Sequence, residues 1–211
     1  MIHIKTNNVL KSFRLSFLLL YESTYIPSDN ELLKEDTLSM EINEKSTPKR
    51  IVIKKESVVN NFNYDKYFKN GQNIAKAECK YLTREIFQNK QVSKIIKYLR
   101  QYPDTKRAIL FLWKDKYRNL EKECPCMSYA FFRKDYDKLN VNVHMRANNA
   151  YNLILIDIDT LRAVQKYIAT NVGLKIGKYI HYVDSFHFYK KEKYLIEKKY
   201  KIFNNDKLYE K

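Results

Sequence analysis

Three groups of residues in this 211-residue chain have the types and spacing to do chemistry. Cys126 stands in Glu-Cys-Pro-Cys-Met, at the start of a strand-like segment, with Arg107 and Arg146 on neighbouring strand-like segments. A thiolate is the reactive form of cysteine, and guanidinium groups nearby lower its pKa, so this setting suits a nucleophile. A free cysteine is also commonly just a small buried hydrophobe. Cys79, Cys124, Cys126, His144 and His187 are zinc-ligand types, but Cys-x-Cys without a second paired cluster is a weak zinc signature. His187 and Tyr189 are two apart in Asp-Ser-Phe-His-Phe-Tyr, so on a strand they share a face and offer two adjacent polar tips to a hydroxyl-bearing ligand. Two satisfied, half-buried side chains would carry the same pattern. Asp157 and Asp159 precede a helical pattern, where Asp is a favoured N-cap, so capping is the default role for at least one of them.

The elements that must position these residues are legible in part. A short strand His3–Lys5 precedes an amphipathic helix over 9–22, where Val9, Leu10, Phe13, Phe17, Leu18 and Tyr21 fall at helical spacing. Residues 27–49 are largely polar, with strand-like alternation at Leu38–Ile42 and again at Arg50–Lys54. Val92, Ile95, Ile96 and Leu99 mark one face of a helix that Pro103 ends. Arg107–Trp113, Met127–Phe132, Lys138–Met145 and Tyr179–Tyr189 read as strands. A helix is expected over about Asp159–Val172, with Gly173 as a left-handed cap, and residues 190–201 read as a charged helical tail, mostly solvated. The expectation is one α+β domain over 1–211, built on a mixed sheet packed with helices, with 190–211 as its tail.

Composition narrows the class. The chain is 45% hydrophobic with three Gly and four Pro, which excludes collagen-like, low-complexity and wholly disordered chains. The net charge of +16 nominates a phosphate-bearing partner, yet 31 of the 40 cations are Lys in a chain rich in Ile, Asn and Tyr, a bias that looks global. No apolar run approaches the length of a membrane span, and Lys5, Lys11 and Arg14 interrupt the N-terminal apolar stretch, which is unlike a signal peptide. An odd count of three cysteines reads as a reduced, cytoplasmic protein.

The order of the motifs is more specific than any one of them. PDTKR (103–107), CPCM (124–127), MRANN (145–149), Asp157 before a helix, GLKIGKY (173–179) and SFHFY (185–189) together resemble the thymidylate synthase family, including its pyrimidine-nucleotide hydroxymethylase members. The resemblance runs over roughly Tyr81 to Tyr189 and implies a mixed sheet whose outer face forms a homodimer interface. It implies that Cys126 adds to C6 of a pyrimidine, which lets C5 capture the one-carbon unit of 5,10-methylenetetrahydrofolate. Asp65 and Tyr81 are the other catalytic candidates on this resemblance, with Glu56 and Glu78 behind Asp65 as the organising carboxylate. Arg146, Asn148 and Asn149 match the family's substrate-binding segment, and Lys106 and Arg107 match the paired cations that reach a neighbouring subunit's phosphate site. His187 and Tyr189 match the His-x-Tyr that bonds the sugar 3′-hydroxyl.

Asp157 points to the substrate. It lies eleven residues after Arg146, where the family's thymidylate-forming members carry Asn. An ionised carboxylate only accepts, so it would face uracil O4 without a donor, whereas cytosine presents its N4 amino group. Ser185 also resembles the cytidylate hydroxymethylases. The best reading is therefore 5-hydroxymethylation of dCMP or CMP. A divergent thymidylate synthase acting on dUMP, and a degenerate nucleotide- or RNA-binding homologue, are the alternatives; neither a membrane nor nucleic acid is an expected partner on the first reading. The chain departs from the family at Ala147, Asn149 and Met127, and ends NNDKLYEK without an apolar closing tail, which favours water over hydride as the nucleophile that traps the exocyclic methylene.

Overall fold

The computed structural model describes residues 1–43, 90–114 and 124–205. Asp65, Tyr81, Cys79, Glu56, Glu78 and the expected strand Arg50–Lys54 lie outside the described residues. Within them, six strands form one mixed sheet: β1 (Ile2–Thr6), β2 (Leu32–Ile42), β3 (Ile109–Phe111), β4 (Met127–Asp135), β5 (Lys138–Asn149) and β6 (Lys175–Tyr189). The spatial order is β1-β2-β6-β5-β4-β3, with β1–β2 and β5–β6 parallel and the other pairs antiparallel. The helices are α1 (Val9–Glu22), α2 (Gln91–Gln101), α3 (Ile154–Asn171) and α4 (Lys193–Asn205), the last entered through a 3₁₀ turn at Lys190–Glu192. This is the α+β architecture expected.

Alternation sets which face of the sheet is buried. Leu38, Met40 and Ile42 on β2, Leu139, Val141, Val143 and Met145 on β5, and Tyr179 and Val183 on β6 are all closed off, in one cluster with Phe13, Phe17 and Leu20 of α1 and Ile158, Leu161, Val164 and Ile168 of α3, and His181 of β6 is buried on the same face. The residues between them, including Tyr129, Asn142, His144, Ile180 and Tyr182, are half-buried or exposed. The parity then breaks near the site. On β5 the buried series passes from Met145 to Asn148, and on β6 from Val183 to Phe186 and Phe188. Opposite β6, the β2 register slips between Asp36 and Leu38. Such a bulge re-aims side chains. Here it frees Ser185, His187 and Tyr189 from the core-facing series.

Several boundaries differ from the sequence reading. β2 starts at Leu32, inside the stretch read as polar loop, because its first half is bulged and lacks clean alternation. The strand expected over Arg107–Trp113 is only Ile109–Phe111. α3 starts at Ile154, not near Asp159, with Leu153 at the N-cap position and no side-chain cap. Buried Ile154 and Ile158 pin that first turn in place of a cap, so Asp157 sits inside the helix and is not a capping residue. Gly173 does take the left-handed conformation, at φ +73°. The expected charged tail carries an apolar face: Ile196 is fully buried, Tyr200 stacks on Tyr21 with ring centroids 4.1 Å apart, and Phe203 packs edge-on to Phe13 and Phe17.

Candidate active site

Cys126 is half-buried immediately before β4, and its position is tied to β5 by three contacts from one residue. The Arg146 backbone N–H donates to the Cys126 carbonyl at 2.8 Å. The Arg146 guanidinium donates from Nε to the Pro125 carbonyl and from Nη2 to the Cys124 carbonyl, both at 3.2 Å. A guanidinium has five donors, so three N–H groups of this exposed side chain remain for an anion. Tyr189 lies in the field of both groups. Burial is the main cause holding its phenol above the ordinary value; Cys126 adds to the rise and Arg146 opposes it. The His187 ring meets Tyr189 edge-to-face, with centroids 4.7 Å apart. Cys126, Arg146, His187 and Tyr189 are thus brought together at the bulged ends of β5 and β6.

Asp157 on the first turn of α3 and Asn148 near the end of β5 form a buried polar pair. Asn148 Nδ2 donates to Asp157 Oδ2 at 2.6 Å and lies 3.5 Å from the Met145 sulfur. Asn148 is 2% and Asp157 6% exposed, so water screens this pair little. The Asn148 Oδ1 is buried with no hydrogen-bond partner. Both amide hydrogens of Asn148 are thus directed within the protein, to Asp157 and to the Met145 sulfur, and its Oδ1 is left as an unpaired acceptor. Behind them, Tyr179 is fully buried and feels the charges of both Asp157 and the buried Arg162; its hydroxyl meets His181 Nδ1 at 2.8 Å.

Asn149 is occupied within the protein. Its Oδ1 accepts from the Tyr151 and Asn152 backbone N–H groups, both at 2.8 Å, which closes the turn into α3, and its amide donates to Glu192 at 3.0 Å. Asn152 also donates to Glu192. Lys106 and Arg107 are exposed in the connection between α2 and β3, and their side chains form no hydrogen bond or ion pair with a described residue. Lys106 lines a shallow groove with Ile109, Tyr129, Phe131, His144 and Tyr182 on the outer face of the sheet. His144 pairs with Asp184 at 3.1 Å, and among the described residues no three metal-ligating side chains converge.

The sequence reading missed Glu35. It is directly opposite His187 across the antiparallel β2–β6 pair and accepts from Ser185 Oγ at 2.5 Å. No local signal identifies it, since the pairing depends on a long-range register.

The thymidylate synthase family model matches residues 50–203, well over half of the chain. The chain belongs to the thymidylate synthase family. A protein of Methanocaldococcus jannaschii named "Putative thymidylate synthase" is 30% identical over 115 residues, which is 52% of this chain and 52% of that protein. The thymidylate synthase of Mycoplasma genitalium is 24% identical over 99 residues, 47% of this chain and 34% of that enzyme. The matched region thus spans about half the length of the archaeal relative and about a third of the mycoplasmal one.

Proposed function

We propose that the protein transfers a one-carbon unit from methylenetetrahydrofolate to C5 of a pyrimidine nucleotide, and that the product is 5-hydroxymethyl-dCMP or its ribonucleotide counterpart. Membership of the family supports the reaction class. The observation that carries the choice of base is the buried Asn148–Asp157 pair: the Asn148 amide hydrogens go to Asp157 and to the Met145 sulfur, so its unpaired Oδ1 meets a substrate as an acceptor. Cytosine meets an acceptor with its N4 amino group. Uracil would set O4 against an oxygen, leaving it unpaired at a cost of about 1–3 kcal/mol.

The chemistry follows from the surroundings of Cys126. Pyrimidine C5 is a poor nucleophile at neutral pH. Addition of the Cys126 thiolate to C6 moves the ring electron pair toward C5, making it enamine-like, so that it can take up a one-carbon electrophile. Loss of the C5 proton with departure of the folate nitrogen from the transferred carbon, addition of water to that exocyclic carbon with release of its proton, and departure of the sulfur from C6 would complete a balanced sequence. Arg146, fixed beside the Cys126 backbone, binds the phosphate, and His187 with Tyr189 receives the sugar hydroxyl. The folate supplies the carbon, and the chain has a carboxylate suited to its amino-bearing ring: Glu192, oriented by Asn149 and Asn152, close enough to influence both His187 and Tyr189. Asp65 and Tyr81 complete the catalytic set in this reading, and a homodimer brings Lys106 and Arg107 to the partner's phosphate from the outer sheet face.

The names of the relatives favour the second reading, methylation of dUMP. Tritium release from C5-labelled dCMP and dUMP in the presence of methylenetetrahydrofolate, with the product identified by mass, separates the two. Release from dCMP with a hydroxymethyl product is expected. Turnover of dUMP alone overturns the choice of base.

A further inference from the structure

The seam between β2 and β6 holds a carboxylate that the reaction above does not use. Glu35 and His187 are cross-strand partners, so their side chains rise on the same side of the sheet. Ser185 Oγ donates to Glu35 Oε1 at 2.5 Å, the length of a charge-assisted O–H···O⁻ bond. His187 Nδ1 lies 3.2 Å from Ser185 Oγ and 3.0 Å from the Ser185 carbonyl oxygen.

The proton positions follow from these three contacts. An ionised carboxylate only accepts, so the Ser185 hydroxyl hydrogen is committed to Glu35. Ser185 Oγ then meets His187 as an acceptor, and the Ser185 carbonyl is always one. Both neighbours of Nδ1 require a hydrogen, which places it there. Burial holds the His187 imidazole below its ordinary pKa, outweighing the Ser185 carbonyl and the carboxylates Glu35, Glu192 and Asp29, so the ring is neutral at pH 7. Its Nε2 is left as a bare lone pair, and that atom is buried without a hydrogen-bond partner in a residue 6% exposed. An orphaned acceptor of this kind is costly unless a ligand supplies a donor. Without a carboxylate at position 35, the Ser185 hydroxyl could turn its hydrogen toward Nδ1, move the ring proton to Nε2 and reverse the polarity seen by a ligand.

We propose that Glu35 is a positioning residue which, through Ser185, holds His187 in the tautomer that presents an acceptor to the cleft, making this subsite specific for a hydroxyl donor and closed to an anion. The ligand half of this inference rests on the nucleotide reading, in which the donor is the sugar 3′-hydroxyl.

Glu35→Gln tests it with little change of shape, because the Gln amide can donate to Ser185 Oγ and release the hydroxyl hydrogen. In ¹⁵N-histidine spectra, with His187 assigned through His187→Gln, the unaltered protein should show Nδ1 protonated and Nε2 bare, and Glu35→Gln should show a mixed or reversed tautomer. In parallel, the unaltered protein should bind dCMP about tenfold more tightly than its 3′-deoxy counterpart, and Glu35→Gln should lose most of that preference while binding the 3′-deoxy nucleotide within about twofold as before. A merely structural role would weaken both nucleotides alike. His187 protonated at Nε2 in the unaltered protein, or a preference fully retained in Glu35→Gln, overturns the proposal. If neither nucleotide binds, the nucleotide reading and the ligand half of the proposal fall together, and the tautomer spectrum alone decides the role of Glu35.

Discussion

At the scale of single residues, the polar groups near Cys126 differ in how far their hydrogen bonds are already committed within the protein. Asn148 directs its amide hydrogens to Asp157 and to the Met145 sulfur, and on the proposed reading its remaining acceptor reads an amino group. Asp157→Asn should shift the dUMP-to-dCMP ratio of kcat/KM toward dUMP by at least about tenfold, measured by competition between the two labelled nucleotides. His181 supports a different prediction. Complete burial pushes its pKa down to about 3, so the folded state stays unprotonated where the unfolded chain, near 6.5, takes up a proton. The unfolded state therefore binds more protons between these values. Stability is lost as pH falls through that window, at about 1.4 kcal/mol per pH unit, or about 2 kcal/mol between pH 6.5 and pH 5. Urea denaturation across this range should show the slope, and the double change Tyr179→Phe and His181→Phe should flatten it. Cys126, Arg146, His187 and Tyr189 stand out in the sequence because each sits in a short motif and the motifs follow one another in a characteristic order. Glu35 was not, because its partner His187 is set by a cross-strand register containing a bulge, and the surrounding Leu-Leu-Lys-Glu-Asp-Thr does not alternate.

At the scale of elements, the junction of β5 and β6 holds the site in place. Gly177 shows how tightly these strands approach: a Cβ there would stand 2.1 Å from Asn140 Oδ1 and 2.9 Å from the Leu139 carbonyl oxygen, and the latter is backbone that cannot swing aside. The carbonyl of Gly177 also receives long hydrogen bonds of 3.4 Å from the buried Arg162 and Gln165 of α3. Gly177→Ala should cost about 1–3 kcal/mol by chemical denaturation. Gly173→Ala, in open space, should cost only about 1 kcal/mol, from its left-handed backbone. Parity and period revealed that β5, β6 and α3 exist, whereas the start of α3 was obscured because buried Ile154 and Ile158, and not a capping side chain, hold its first turn. The α4 helix was read as solvated charge, yet its Ile196, Tyr200 and Phe203 lie four and three residues apart on the face that meets α1.

At the scale of the whole molecule, the charge of +16 is a poor guide to function. Three cations, Lys106, Arg107 and Arg146, carry a stated role on the proposed reading, and two of them stand on or beside the outer sheet face that a second copy would cover. If they serve the partner's site, mixing a Cys126→Ala protein with a Lys106→Ala/Arg107→Ala protein should restore about a quarter of the activity, since half of randomly assorted dimers are mixed and each mixed dimer retains one intact site. Recovery should be absent when either variant is assayed alone. The most direct test of the central claim uses 5-fluoro-dCMP with methylenetetrahydrofolate, because fluorine at C5 cannot leave as a proton and the addition product is retained. Digestion and mass spectrometry should find nucleotide and folate together on the peptide carrying Cys126, and nothing on the Cys126→Ser protein. An adduct on Cys79 or Cys124, or none at all from folded protein, would contradict the account.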